Sequence, residues 1–416
     1  QSIDFGRLRD FRVSTVETMT KGLTGLLAHR GVTVFRGCAA LQNAHTVRVT
    51  PAEGETQVSR SVEAGVFEPV ETELAIDADD VVLATGSRPL ALPGNPFAGA
   101  LIDSTQALEL NTLPSSAVII GAGAVALEFA SLWNAAGCEV TLLIRKDRVL
   151  STWERRASMT LTRELKRRGV NVIARTAVDR VDTGANLGAT VHYRQGDSDE
   201  DRTAYGEVVL AAIGRVPNTD ADWFRSSGLK LDERGYVTVD GYGRTNLDGV
   251  WALGDITPGH ALAHRAFEQG ITIAEKIAGA DPKPVIDDTV PQVVFSFPEA
   301  ASVGLTLDQA KAREDVVEPK ETAYPMLSNA RMLMSGEGGS MTVVSGAFAN
   351  NPDMQVVLGV HIVSPIASDL IAEAEQLVGN RVPLADAARL IHPHPTFSET
   401  LGEALLKADG RPLHTR

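Results

Sequence analysis

Cysteine is the scarcest chemically useful residue here: 416 residues hold two, Cys38 and Cys138, far apart and in unrelated contexts. That excludes a disulfide framework and a cysteine-based metal site, and both thiols are expected to be small buried hydrophobes. Long apolar runs are lacking too. No segment reads as a bilayer span and none as a secretory leader, so the expected compartment is the cytoplasm and no membrane partner is expected. Positive charge is in deficit, 39 Lys and Arg against 53 Asp and Glu for a formal net charge of −14, which argues against nucleic acid as a partner. Neither a solenoid-type repeat nor a low-complexity tract occurs.

What is present fits an α/β enzyme. The length suggests two to four domains, and 44% apolar residues, 22% charged residues and 37 glycines match neither a fibrous nor a disordered chain. Apolar residues at helical spacing (Val16, Met19, Leu23, Leu26, Leu27) predict a helix from Phe5 to about His29, followed by a strand over Gly31–Phe35. Short strands then lead to the β-branched run Val81-Val82-Leu83, stopped by Ala84-Thr85-Gly86, and a polar, proline-bearing stretch covers Ser87–Pro96. A buried strand, Ala117–Ile120, runs straight into Gly121-Ala122-Gly123-Ala124-Val125-Ala126. A helix reaching Ala136, a strand over Val140–Ile144 and a helix over Trp153–Arg168 follow. Strands near Val172 and over Val208–Leu210 complete this domain, closed by Gly214-Arg215-Val216-Pro217-Asn218. Thr245 to Asp255 reads as a strand ending in Gly254-Asp255. After about residue 288 the pattern becomes α+β, with strands at Val293–Phe295 and Gln355–Ile362 and helices at Ala367–Val378 and Leu384–Leu390.

Three features carry chemistry. At the glycine turn, Gly121 permits the tight bend and Gly123 lets backbone approach a pyrophosphate held at the positive end of the following helix. Ala126 replaces the third glycine of that pattern. The strand end that would offer a carboxylate to a ribose 2′-hydroxyl instead shows Ile144, Arg145 and Lys146, which favours a 2′-phosphate; the alternative is that both cations are a solvated loop. Gly254-Asp255 places a carboxylate where it can accept hydrogen bonds from a sugar-like hydroxyl. Near the C-terminus, His392-Pro393-His394-Pro395-Thr396-Phe397-Ser398-Glu399 sets an imidazole five positions before a carboxylate, an arrangement that fixes a histidine tautomer and leaves its other nitrogen to accept a proton near neutral pH.

Taken together, Ala84-Thr85-Gly86-Ser87-Arg88-Pro89, the glycine turn with Glu128, Gly214-Arg215-Val216-Pro217-Asn218, Gly254-Asp255, Leu262-Ala263-His264, Pro298-Glu299-Ala300-Ala301-Ser302-Val303-Gly304 and the His-Pro-His-Pro-Thr run resemble the pyridine nucleotide-disulfide oxidoreductases over nearly the whole chain. The resemblance implies two Rossmann-like dinucleotide-binding domains, for FAD and NAD(P), and a C-terminal α+β dimerisation domain. The expected division is residues 1–110 and 240–287 for FAD, 111–239 for NAD(P) and 288–416 for dimerisation. It further implies that Asp255 holds the ribityl chain of FAD, Ala84, Thr85 and Gly86 lie along its diphosphate, Ala261, Leu262, Ala263 and His264 back its isoalloxazine, and Gly37 touches its adenosine. Glu128 would pair with a lysine beside the flavin, and Val178 and Gly214 would border the nicotinamide nucleotide. His394 would be the catalytic base, held by Glu399 and reaching the partner subunit's active site, with His392 a spectator. The implied enzyme is a homodimer that oxidises dihydrolipoamide, free or on the lipoyl domain of a 2-oxo acid dehydrogenase complex, and reduces NAD, with NADP the alternative.

The family also has an N-terminal FAD fingerprint, a closely spaced pair of redox cysteines and a flavin-side lysine, which would precede Gln1. The expectation is therefore that this chain is a piece of a longer protein, Cys38 and Cys138 being unable to serve as that pair. Two other readings stay open at this point: an NADPH-dependent disulfide reductase of the glutathione or mycothione reductase type, supported by Ala126 and Ile144-Arg145-Lys146, and a nucleotide-binding dimer partner without catalysis.

Overall fold

The computed structural model describes residues 3–184 and 188–415. These form two compact units, Gln1–Arg88 with Arg215–Ile286, and Pro89–Gly214 with Asp287–Arg416.

In the first unit the helix Phe5–His29 begins where the Asp4 carboxylate caps the Arg7 amide. It buries none of its residues within the described structure, and Phe11, Val16, Met19, Leu23 and Leu26 line an exposed stripe. The strand expected over Gly31–Phe35 is confined to Phe35–Arg36, because Gly31, at φ +68°, is spent on the helix exit and the Val34 amide bonds to the Ser61 hydroxyl. Strand Val81–Leu83 pairs in parallel with Val250–Ala252, Leu83 opposite Ala252. The long strand expected over Thr245 to Asp255 shrinks to Val250–Ala252: Thr245 Oγ1 accepts from the Leu247 amide and Gly249 turns at φ +70°, so Thr245–Gly249 is a turn. Leu41, Val81, Leu83, Phe224, Val237, Val250 and Ile256 make the core. Cys38 departs from expectation. It opens strand Cys38–Asn43, of whose six residues Leu41 alone is buried, and its thiol is exposed.

The second unit holds a parallel sheet whose strand order is Asn171–Ala174, Glu139–Ile144, Ser116–Ile120, Val208–Ala211, Leu101–Ile102. Both faces are covered, so the strands are near-continuous apolar runs. Helix Ala124–Ala136 follows the glycine turn, and helix Arg155–Arg167 starts two residues later than the sequence suggests, because the Glu154 carboxylate caps the amides of Arg156 and Ala157. Leu142 and Leu161 pack in this core with no exposure; each such burial stabilises by about 1.5–3 kcal/mol. The C-terminal part is an antiparallel sheet in the order Gln292–Val294, Glu299–Gly304, Asn351–Ser364, Ser340–Phe348, Val316–Tyr324. Helices Ala367–Gly379 and Glu399–Ala408 belong to the same unit, and the helix expected over Leu384–Leu390 stops at Ala387. No described helix is long and apolar enough to cross a membrane.

Candidate active site

In the parallel sheet of the second unit, Ile120 lies opposite both Leu143 and Ala211, so the loops carrying Gly121, Arg145 and Gly214 leave neighbouring strands at the same carboxyl edge. That edge is where open α/β sheets take ligands. Gly121 has φ +143°, and a Cβ there would stand 2.2 Å from the Ala212 carbonyl oxygen and 3.3 Å from the Ala126 methyl. Only glycine fits, and the third position of the pattern must be small, which Ala126 satisfies while fully buried. Gly123 is the N-cap of a 13-residue helix with no side chain capping it, and nothing lies within 4 Å of where its Cβ would be. Uncapped amides, a helix dipole and open space above them suit a pyrophosphate. Ile144 is buried, whereas Arg145 and Lys146 are exposed. Val178 lies two residues into the adjoining strand Thr176–Thr183, whose Thr176 hydroxyl bonds the Ile144 carbonyl, and Gly214, at φ +147°, accepts from the Leu90 amide. Glu128 sits on the glycine-turn helix and accepts from the Phe295 amide at 3.0 Å, so it ties that helix to the end of strand Gln292–Val294.

In the first unit the parallel pairing of Val81–Leu83 with Val250–Ala252 delivers Ala84-Thr85-Gly86 and Gly254-Asp255 side by side. The Leu253 amide bonds the Leu83 carbonyl, and the Ser87 hydroxyl donates to Asp255 at 2.5 Å. Arg215 donates to Ser87 Oγ at 2.7 Å, with its Nε 4.0 Å from Asp255. Thr85 is held by Asn218 through two bonds. Ala261 and Leu262 lead into helix Ala263–Ile277, whose first turn carries His264 and whose N-cap, Leu262, offers no side-chain cap. At Gly37 a Cβ would lie 2.4 Å from the Thr50 carbonyl oxygen, so backbone must pass there unencumbered. Ser87 and Arg215 are the functional candidates missed by reading backbone motifs; they lie inside the quoted motifs, but their convergence on Asp255 spans 168 positions for the serine. A separate cavity of about 420 Å³ in this unit, lined by residues including His45, Asp79, Asp80, Arg244 and Trp251, contains none of the predicted site residues.

The C-terminal run forms two histidine–carboxylate pairs. The His394 Nδ1–H donates to Glu399 Oε1 at 2.8 Å, and Glu399 Oε2 accepts from the Thr396 amide at 2.7 Å. Burial alone would raise the Glu399 carboxyl, but the Thr396 amide and the His394 ring together hold it below the usual glutamate range. The His394 side chain is 77% exposed, so its Nε2 faces outward as an available acceptor. His392 differs: its side chain is 9% exposed and its Nε2 lies 2.8 Å from Glu373 Oε1 on helix Ala367–Gly379. The Asn329 amide donates to the Thr396 carbonyl at 3.0 Å, pinning the loop between the two pairs. Cys138 is buried, and burial, with Glu207 and Glu139 nearby, pushes its thiol up to about 11, so it is no thiolate at neutral pH.

A glycine-turn βαβ edge, a carboxylate at a second parallel strand end and an imidazole–carboxylate dyad define a nucleotide-dependent oxidoreductase of the α/β class. Residues 3–270 match the pyridine nucleotide-disulphide oxidoreductase family and residues 290–405 match its dimerisation domain. The chain belongs to that family. It is 35% identical over 419 aligned residues to a dihydrolipoyl dehydrogenase of Geobacillus stearothermophilus, covering 99% of this chain and 82% of the relative. A dihydrolipoyl dehydrogenase of Cupriavidus necator is 34% identical, with 99% and 81% covered. Among solved structures, LpdA from Mycobacterium tuberculosis superposes with a TM-score of 0.81 at 26% identity, covering 98% of this chain and 84% of that one. The HOCl-induced flavoprotein disulfide reductase RclA from Escherichia coli gives 0.81 at 24%, covering 97% and 86%, and speaks to the fold alone.

Proposed function

We propose that this chain works as a dihydrolipoyl dehydrogenase, in a cytoplasmic homodimer, catalysing dihydrolipoamide + NAD⁺ → lipoamide + NADH + H⁺. The observation that carries the reading is the exposed His394 ring, with Nδ1 held by Glu399 and Nε2 turned outward. His394 takes the proton of one substrate thiol at Nε2, and the thiolate left behind is the species that attacks a redox disulfide, a partner that Cys38 and Cys138, both free thiols, do not supply. The Glu399 carboxylate keeps the ring in the Nδ1–H tautomer and faces the imidazolium once the proton has moved. The names of the relatives that cover the whole chain support the substrate.

Residues of the first unit fit a flavin nucleotide: Asp255 and Ser87 present polar groups at a parallel strand end, Gly37 leaves no room for a side chain, and the helix behind Ala261–His264 starts uncapped. FAD, when bound, supplies a two-electron carrier between the dithiol and the nicotinamide. Asp255, Ala84–Gly86, Gly37 and Ala261–His264, all in the first unit, would hold it. Gly121, Gly123, Ala126, Val178 and Gly214, all in the second unit, would hold NAD, with Glu128 bracing their helix, and 288–416 would form the subunit interface. A second reading, an NADPH-dependent disulfide reductase, is favoured by the exposed Arg145 and Lys146 at a strand end that bears no carboxylate. Turnover of dihydrolipoamide with NAD⁺ against NADP⁺ separates the two. For either reading, His394→Ala must suppress dithiol chemistry; if it does not, the base assignment is wrong.

A further inference from the structure

The sequence offers two histidines two positions apart, and the structure gives them opposite surroundings. His392 is closed in by three elements. Its Nε2 meets Glu373 on helix Ala367–Gly379, its backbone neighbour Leu390 supplies a second acceptor, and its ring lies against helix Glu399–Ala408. The last contact is tight: a Cβ on Gly402 would stand 2.5 Å from His392 Nδ1 and 2.9 Å from Cε1. Gly402 is therefore the seat on which the imidazole rests, and it lies one turn beyond Glu399 on the helix that carries the dyad's carboxylate.

We propose that His392 is a positioning residue for His394: clamped to Glu373 and seated on Gly402, it fixes the start of the loop against the helix that bears Glu399, so that His394 and Glu399 stay in register. This rests on reading His394 as the base. The Glu373 carboxylate, with smaller contributions from the Leu390 carbonyl and the more distant Glu399, raises the ring's pKa above the ordinary histidine range despite partial burial. With Nε2 bonded to Glu373, Nδ1 packed over Gly402 and 9% of the side chain exposed, the ring is a fixed strut that presents no open nitrogen to substrate. The Asn329 bond to Thr396 supplies the anchor at the other end, so His394 is suspended between two fixed points.

The test uses the full-length, flavin-loaded protein with Glu373→Gln, which keeps the side chain's shape and removes its charge, and Gly402→Ala, which drives the ring off the helix. Two readouts are compared: dihydrolipoamide-dependent NAD⁺ reduction, and NADH-dependent reduction of an artificial acceptor, which does not call on His394. The ratio of dithiol to acceptor turnover should fall roughly ten- to a hundredfold in both variants, the scale expected when a reacting group is misplaced by about 1 Å. In ¹⁵N-histidine NMR spectra, the single Nδ1–H tautomer of His394 should give way to a mixture. An unchanged ratio, including a parallel fall of both activities, overturns the proposal, as does an unchanged tautomer. Failure of the underlying reading looks different: His394→Ala would then keep full dithiol turnover, while the tautomer signal still reports on the clamp.

Discussion

Gly121→Ala is the substitution whose cost can be worked most directly from the structure. The residue sits at φ +143°, a conformation that strains any side chain by about 1–3 kcal/mol. The new methyl would also lie 2.2 Å from the Ala212 oxygen, 2.9 Å from its carbonyl carbon and 3.3 Å from the Ala126 methyl. None of these is the far end of a flexible side chain, so strand Ser116–Ile120 or the backbone at Ala212 must move, and overpacking of this kind costs about 1–3 kcal/mol more. Even a combined loss of about 2 kcal/mol lowers the melting temperature of a domain this size by roughly 4–8 °C. Gly123→Ala is the control. Its φ is −90° and nothing lies within 4 Å of the added methyl, so stability should change by less than about 1 kcal/mol. The methyl does occupy the space a pyrophosphate would enter, and NADH affinity should fall about tenfold or more, which is about 1.4 kcal/mol. Thermal denaturation and calorimetric titration with NADH read the two effects separately. A Gly121→Ala protein that melts with the wild type, or a Gly123→Ala protein that binds NADH normally, refutes the account of this turn.

His394→Ala should cut dihydrolipoamide oxidation by about two orders of magnitude or more while reduction of an artificial acceptor by NADH largely survives, and an equal fall in both would make the histidine structural. Replacing Arg145 and Lys146 together by alanine should lower the NADPH-to-NADH preference about tenfold, a change of about 1.4 kcal/mol; an unchanged ratio means that both cations face solvent with the nucleotide bound. The His392–Glu373 pair predicts a pH effect of definite sign. Because the histidine's folded value is raised above 6.5, the pair stabilises fully below that pH and loses its contribution as pH climbs through the raised value. The melting-temperature gap between wild type and Glu373→Gln should therefore be largest below pH 6.5 and close in alkaline buffer. Alkylation at neutral pH should modify Cys38 and spare Cys138 in the folded protein, as judged by peptide mass mapping.

The sequence was most legible where the backbone itself is the signal. The helix Phe5–His29 falls where its spacing predicts, and the βαβ unit around Gly121 has the expected strand, turn, helix and strand, because β-branched runs and obligatory glycines act locally. Legibility failed where a side chain captured a backbone group. Glu154 took two amides and began its helix at Arg155, and Thr245 turned a β-like run into a bend. It failed again over burial. The period of the first helix identifies which residues share a face but not what covers it, and Cys38 reads as core by residue type yet opens a strand that is mostly exposed. Within the site, Glu399 was visible because it lies five positions from His394, whereas Glu373 and Gly402 act on His392 from two other helices and leave no local pattern.

Two imidazoles of one short motif thus show why residue type alone does not assign a role. Both have a carboxylate at 2.8 Å, so pairing does not separate them. Solvent access does. With 9% of its side chain exposed and its ring packed over Gly402, His392 cannot give or take a proton at a substrate without leaving its seat and breaking its bond to Glu373. With 77% exposed and one nitrogen bonded, His394 can exchange a proton while its ring stays where it is. Moving the acid–base function from one to the other would therefore take more than a swapped partner. A Glu399→Gln protein that kept dithiol turnover through His392 would have to open the gap at Gly402, and His392→Ala in that background should then remove the residual activity; activity that survived the double substitution would place the base outside this motif altogether.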